Sequence, residues 1–435
     1  MSVSFIRRAV GFYYNERSDS KVKIIHISDL HLDTPFQGMS HTSKSIHRAL
    51  IQAPYQAFES CVNYAITNQI DVMLITGDIY NSQRQTIQAQ RFFNQQLERL
   101  LQEEIQVVFC HGNHDFIREG YSQLHYPEGI HLLKDESVSK VQLTTRNEET
   151  LTVYGFSYCH QSLTERMIDQ FPVNQDNRSN VIGLLHGALQ TSHPQQNRYA
   201  PFTLQDLKDK QYSYFALGHI HKPQILSEFP LIQYAGTPQG RHRNEVGAHG
   251  CYLIELVEGS VIKNEFIPLA EIIWENCEIE CPVDASANDL VELIRSQLNQ
   301  YEQRAIEESV SFILTVHLLQ SQRLNADLWQ QIQQGELFEV ITTRMKGDQF
   351  VLVNQFELAN LRNFNVFEFD QALKDQFTEV EQAMSEVSNR KEVLDDFLAH
   401  PIVRRYFEQE ELLALSEDYI NQAKELIVQS VGMER

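Results

Sequence analysis

Ile105-Gln106-Val107-Val108-Phe109-Cys110 runs directly into His111-Gly112-Asn113-His114-Asp115. The first six residues are mostly apolar and read as a buried strand; the polar run after them reads as the loop at its carboxyl end. The same pairing recurs along the chain. Val22–Ile27 precedes Asp29-Leu30-His31, and Ile70–Ile75 precedes Gly77-Asp78. Val181–Leu185 precedes His186-Gly187, and Tyr214–Leu217 precedes Gly218-His219-Ile220-His221. Stretches with helical spacing separate the first three strands: Tyr55, Phe58, Val62, Ala65 and Ile66 beyond Pro54, which is placed to begin a helix, then Phe92, Phe93, Leu97, Leu100 and Leu101. This alternation predicts an α/β domain of stacked layers. Gly250–Pro268 reads as a hairpin that turns at Glu258-Gly259.

Open α/β sheets gather ligands at the carboxyl ends of their strands. The five polar runs therefore bring the imidazoles of His31, His114, His186, His219 and His221, the carboxylates of Asp29 and Asp78 and the Asn113 amide to one edge. Asp29, His31, Asp78, Asn113, His186, His219 and His221 read as ligands of two divalent cations. On an extended chain Asp29 and His31, two residues apart, point the same way, and His219 and His221 repeat that spacing. Asp78 has two oxygens with which to bridge two ions. Nitrogen and oxygen ligands without thiolate suit Mn²⁺, Fe²⁺ or Zn²⁺. Two ions about 3.5–4 Å apart activate water and clamp phosphate oxygens in ester hydrolysis. His114 is placed to give the leaving oxygen its proton, and Asp115 is expected to hold the His114 ring. One Gly-Asp or one buried His is ordinary; five such runs in order, each behind a strand, are not.

The remaining composition narrows the class. At 435 residues the chain needs more than one core. Its formal charge of −22 argues against a surface coated for nucleic acid, without excluding phosphate held at cations or at a local basic strip. Six cysteines lack paired spacing and read as reduced thiols of a cytoplasmic protein. No apolar run approaches the roughly 18 residues needed to cross a membrane. Arg7 and Arg8 precede an aromatic stretch too short for a signal-peptide core, so residues 1–20 read as an N-terminal arm.

With Asp29-x-His31, Gly77-Asp78, Gly112-Asn113-His114-Asp115, His186 and Gly218-His219-x-His221 in order, residues 21–245 resemble the calcineurin-like metallophosphoesterases. Within that superfamily the chain resembles the SbcD-type DNA repair exonucleases, and most of all their YhaO-type bacterial branch, whose opening motif is similar to Asp29–Phe36. The resemblance implies a four-layer αββα sandwich over 21–268 with a dinuclear site usually served by Mn²⁺. It assigns Asp29, His31, Asp78 and His221 to one ion, Asp78, Asn113, His186 and His219 to the other, and His114 to the phosphodiester. It also implies a small α+β capping domain, here 269–358, and a helical segment that grips an SbcC-like ATPase, here 359–435. That last segment is acidic, with 16 Asp and Glu against 7 Lys and Arg from residue 366 on. Family members commonly dimerise. Protein phosphatases continue Gly-Asp with x-x-Asp-Arg-Gly, whereas this chain reads Ile79-Tyr80-Asn81-Ser82-Gln83.

The implied activity is Mn²⁺-dependent cleavage of DNA by hydroxide from the dinuclear site, as an exonuclease or endonuclease. Arg84, Arg118, Arg241 and Arg243 lie near the motif loops and read as DNA phosphate contacts; Tyr80 and Tyr234 are placed to stack on a base. A small-molecule or cyclic-nucleotide phosphoesterase fits the acidic surface better, and a non-catalytic scaffold is the remaining alternative.

Overall fold

The structure is a computed structural model and describes residues 21–34, 42–81, 85–117, 124–190, 198–283, 285–341, 344–346 and 349–358, with 379, 380 and 383. The N-terminal arm, Arg84, Arg118 and nearly all of the C-terminal segment expected to be helical lie outside the described residues.

In chain order the first elements are β1 (Val22–Ile27), α1 (Lys44–Thr67), β2 (Val72–Thr76), α2 (Ile87–Gln102), β3 (Gln106–Cys110) and β4 (His131–Leu132). Next come β5 (Ser139–Thr144), β6 (Thr150–Gly155), β7 (Asn180–His186), α3 (Leu204–Asp209), β8 (Tyr214–Gly218), β9 (Gln224–Glu228) and β10 (Leu231–Tyr234). The hairpin β11 (Gly250–Val257) and β12 (Ser260–Pro268) follows, turning through Glu258 and Gly259 at φ of 46° and 76°. The last elements are β13 (Ile272–Glu280), α4 (Ala287–Glu308), β14 (Ser311–Leu319), α5 (Ala326–Gln333), α6 (Glu336–Val340), β15 (Arg344–Lys346) and β16 (Gln349–Leu358).

Two six-stranded sheets carry the fold, in the orders β12-β11-β1-β2-β3-β4 and β5-β6-β7-β8-β10-β9. A four-stranded sheet, β13-β14-β16-β15, follows. β1, β2 and β3 pair in parallel, as do β6, β7, β8 and β10, so each set ends at one edge. Alternation along these strands builds three separate cores. Val22, Ile24, Val72, Leu74 and Val108 of the first sheet face Leu151, Val153, Ile182, Leu184 and Ala216 of the second. The residues between them, Ile25, Ile27, Met73, Ile75, Val107 and Phe109, turn outward onto α1 and α2. Leu185, Phe215, Leu217 and Ile232 turn to the opposite outer face, covered by α3, a 3₁₀ turn at Met167–Gln170 and loops. Strands buried on both faces explain why the sequence shows continuous apolar runs instead of alternation.

Pro54 does not start α1. Ser43 caps that helix by accepting from the Ile46 N–H, and Pro54 sits inside it among buried Ile46, Leu50, Ala53 and Phe58. A mid-helix proline forfeits one backbone bond; the cap and the buried face outweigh it. By contact density the chain falls into two compact units, one of Met1–Asn276, Ser296–Thr315 and Thr342–Asn354, the other of Cys277–Arg295, Val316–Ile341 and Gln355–Arg435. Every residue of the site below belongs to the first. All six cysteines are free thiols. Among the described residues no helix is long and apolar enough to cross a membrane.

Candidate metal centre

Pairing between β1 and β2 continues past the strands as a kinked ladder. Asp29 N donates to Gly77 O, His31 N to Asp78 O, and Leu32 N to Ile79 O. Along it Asp29, His31 and Asp78 adopt left-handed backbone, with φ of 52°, 45° and 51°. Asp29 and His31 therefore do not share a side through extended-chain alternation, as their spacing led us to expect. Two left-handed kinks, each costing about 1–2 kcal/mol, turn both side chains inward, and His219 is likewise off the extended path at φ 100°. Strain gathered on ligand loops is an expected signature of function.

The side chains converge. His31 Nε2 lies 3.0 Å from His221 Nε2 and 3.7 Å from Asp78 Oδ2. His186 Nε2 lies 3.4 Å from the same Asp78 oxygen. Asn113 Oδ1 is 3.0 Å from both His186 Nε2 and His219 Nδ1. Asp29 Oδ1 is 3.9 Å from His221 Nε2. Two trios have ligand atoms within 4.8 Å of one another, Asp29, His31 and His221, and Asp29, Asp78 and His186. Asp78 Oδ2 is buried without a hydrogen-bond partner among the described residues. An orphaned carboxylate oxygen flanked by two imidazole nitrogens is costly unless a cation sits against it, so the donor set fits a divalent metal pair. The cradle is tight: a Cβ on Gly112 would collide with Asp78 Oδ1 and the His186 ring, and one on Gly218 with Thr76 O.

Residues 22–223 match the calcineurin-like phosphoesterase family. This stretch is a calcineurin-like metallophosphoesterase domain. The chain is 27% identical over 402 residues to YhaO of Bacillus subtilis, an uncharacterised metallophosphoesterase, covering 90% of this chain and 95% of that protein. It is also 27% identical over 271 residues to the DNA double-strand break repair protein Mre11 of Methanocaldococcus jannaschii, covering 59% of this chain and 66% of that one. A dimetal phosphatase from Danio rerio aligns with 57% of this chain and 99% of its own at 11% identity, with a TM-score of 0.33.

Charge in the metallophosphoesterase site is graded. Burial, with Arg241 and His221 nearby, holds His31 well below the ordinary imidazole value; burial, with His186 nearby, lowers His219 to about 3. Both stay neutral, the state a ligand needs. Burial also disfavours charge on His186, yet the Asp78 carboxylate against it raises it to about 9. Burial works against the Asp78 charge too, but His186, His114 and His31 hold its carboxyl well below the usual range. His186 Nδ1 lies 3.1 Å from Thr76 O; donating there turns Nε2 toward Asp78, where it keeps its proton in the metal-free site and would give it up to a cation.

His114 lies beside the pair, its ring 5.1 Å from that of His31 and its backbone N–H donating to Asp78 Oδ1. Asp115 does not hold that ring. It is fully buried and turned away, accepting from Gly112 N at 2.7 Å and Ile79 N at 2.8 Å, with His111 Nδ1 3.1 Å off. His114 Nδ1 has no partner among the described residues. Two buried backbone donors claim the carboxylate, so it ties the loops of Asp78 and Asn113 together.

Arg241 is also not a surface side chain. It is buried against His221 and Glu245, while Arg243, two residues on, is half-buried. Tyr80 and Tyr234 are buried: Tyr80 packs on Phe93 with ring centroids 6.0 Å apart, and the Tyr234 hydroxyl donates to Gly187 O. Neither reaches a base. The sequence reading missed Glu245, whose Oε1 lies 2.6 Å from His221 Nδ1. Burial opposes its charge, but hydrogen bonds from His221 and His242 and the charge of Arg241 pull its pKa down strongly. The available signal was a single acid four residues beyond Arg241, at the end of a basic run.

Proposed function

We propose that this protein is a Mn²⁺-dependent phosphodiesterase acting on DNA, as the nuclease subunit beside an SbcC-like ATPase in the cytoplasm. The observation that carries the reading is the orphaned Asp78 oxygen inside a full set of nitrogen and oxygen ligands; the likeness to Mre11 repair proteins supports DNA as substrate. Asp29, His31, Asp78 and His221 would hold one cation, and Asp78, Asn113, His186 and His219 the other. Such a pair supplies an activated water and neutralises phosphate charge. His114, on the open side of the ligands, gives its proton to the leaving oxygen. Asp115 keeps the Asp78 and Asn113 loops in register. Arg243, Arg84 and Arg118 grip flanking backbone phosphates. Residues 269–358 cap the domain, residues 359–435 dock the ATPase, and a homodimer presents two such sites.

The test is purified protein with Mn²⁺ and linear duplex DNA, with and without the ATPase, beside His114→Ala. Cleavage by wild type and at least about 100-fold less by the variant is expected; wild-type cleavage no greater than the variant's contradicts the reading. The net charge of −22 favours a second reading, a small phosphoester hydrolase. Faster turnover of p-nitrophenyl phosphate or mononucleotides than of bis-p-nitrophenyl phosphate or DNA would select it.

A further inference from the structure

The basic run after the last ligand strand places a guanidinium where none of its surroundings can use it fully. Arg241 Nη2 lies 3.2 Å from His221 Nδ1, and its side chain is only 9% exposed. Its Nε is buried with no hydrogen-bond partner among the described residues. The neighbouring carboxylate is already committed. Glu245 Oε1 takes His221 Nδ1 at 2.6 Å and His242 Nε2 at 3.2 Å, leaving Arg241 Nη2 at 3.7 Å. Glu245 Oε2 takes the backbone N–H of Arg241 at 2.7 Å.

Valence then decides the matter. For His221 to offer Nε2 toward Asp29 and His31, its Nδ1 must carry the proton and donate it to Glu245. In that tautomer Arg241 Nη2 faces an N–H, so the 3.2 Å contact joins two donors. The guanidinium is left buried, charged and short of an acceptor at the edge of a phosphate-hydrolysing centre. The ion pair with Glu245, 3.7 Å from Nη2, is too long for a hydrogen bond and leaves Nε unpaired among the described residues, and the group that completes an arginine fork best is a phosphate or carboxylate.

We propose that Arg241 is the anion clamp of this site, taking an oxygen of the substrate's reacting phosphate, and that Glu245 is a positioning residue which fixes both the clamp and His221. The inference rests on the phosphodiesterase reading above and assigns Arg241 to the reacting group, not to flanking DNA backbone. It extends to any substrate of that chemistry, because the clamp reads phosphate and not a base.

The test uses the full chain loaded with Mn²⁺. Inorganic phosphate is titrated by calorimetry, bound manganese is counted by elemental analysis, and kcat and KM are measured on bis-p-nitrophenyl phosphate. Wild type binds phosphate. Arg241→Gln is expected to keep its manganese and its melting temperature, weaken phosphate binding about 10- to 100-fold, and lose kcat/KM to match. Arg241→Lys keeps a cation and the stem, recovers part of the loss, and replaces the glutamine variant if that one fails to fold. Unchanged phosphate affinity in the variants overturns the clamp, as does manganese lost in step with phosphate, which would make Arg241 merely structural. A wild type that neither binds phosphate nor hydrolyses the ester overturns the phosphodiesterase reading and the clamp with it.

Discussion

Asp78 Oδ2 and His186 Nε2 lie 3.4 Å apart, two fully buried groups brought from facing sheets. The first lies two residues beyond the end of β2 and the second is the last residue of β7, so the two meet where both strands end. Asp78→Asn keeps the shape and removes one charge from a centre built to face cations. It is expected to lower manganese affinity by about 100-fold or more, beyond the 10- to 100-fold typical of outer partners. Elemental analysis after gel filtration reads this directly; full retention of metal by the variant would show that Asp78 is not a ligand.

Glu245 acts one step further out. Its bond to His221 Nδ1 fixes the tautomer that leaves Nε2 available. Glu245→Gln retains an acceptor but no charge, and competing His221 tautomers become accessible. Manganese affinity is expected to fall about 10- to 100-fold, and the metal-free protein melts lower as well, because the buried charge that pairs with His221, His242 and Arg241 is lost. Isothermal titration with Mn²⁺ measures it, and an affinity equal to wild type would remove Glu245 from the account.

Asp115 is a tie between loops, so its loss is a stability effect. Asp115→Ala strands the buried N–H groups of Gly112 and Ile79. At about 1–3 kcal/mol for each unpaired donor, the variant should lose roughly 2–6 kcal/mol, read as a lower denaturation midpoint in urea. If instead the variant keeps wild-type stability and only the pH profile of turnover moves, Asp115 orients His114 after all.

Strand existence was legible in the sequence, and so was which side chains would meet at the strand ends, for one reason. Strands buried on both faces write themselves as apolar runs, and the polar residues behind each run mark where the strand stops. Asp78, Asn113, His186 and His219 were found in this way and do converge. The local path was not legible. Nothing in the spacing of Asp29 and His31 announces left-handed backbone, which is imposed by the ladder to Gly77, Asp78 and Ile79. Nor does sequence separate a buried arginine from an exposed one: Arg241 and Arg243 look alike until Glu245 folds back onto the first. Asp115 sits next to His114 in sequence and faces the other way, because it accepts from Gly112 N and Ile79 N, which have no other acceptor among the described residues. Tyr80 and Tyr234 carry polar tips, yet packing claimed their rings.

His26 supplies a pH dependence away from the ligands. It is buried between the sheets, its Nδ1 2.5 Å from the Tyr214 hydroxyl, and burial lowers its pKa to about 3 from 6.5 despite the Leu217 backbone. Above pH 6.5 neither folded nor unfolded chain protonates it, and it adds no pH dependence. As pH falls from 6.5 toward 3 only the unfolded chain takes the proton, so stability drops by about 1.4 kcal/mol per pH unit from this group. His26→Gln removes that titration while keeping a polar partner for Tyr214. Urea unfolding at pH 7, 6, 5 and 4 should show a shallower fall in the variant; parallel curves would mean that His26 titrates normally in the folded chain.

The central claim is that one carboxylate, Asp78, stands between two cations. Electron paramagnetic resonance of the Mn²⁺-loaded protein, at two equivalents per chain, tests it most directly. The account predicts the multiline signal of two exchange-coupled ions in wild type and its loss in Asp78→Asn. A six-line spectrum of isolated Mn²⁺ in the wild type, with one ion per chain, would contradict it.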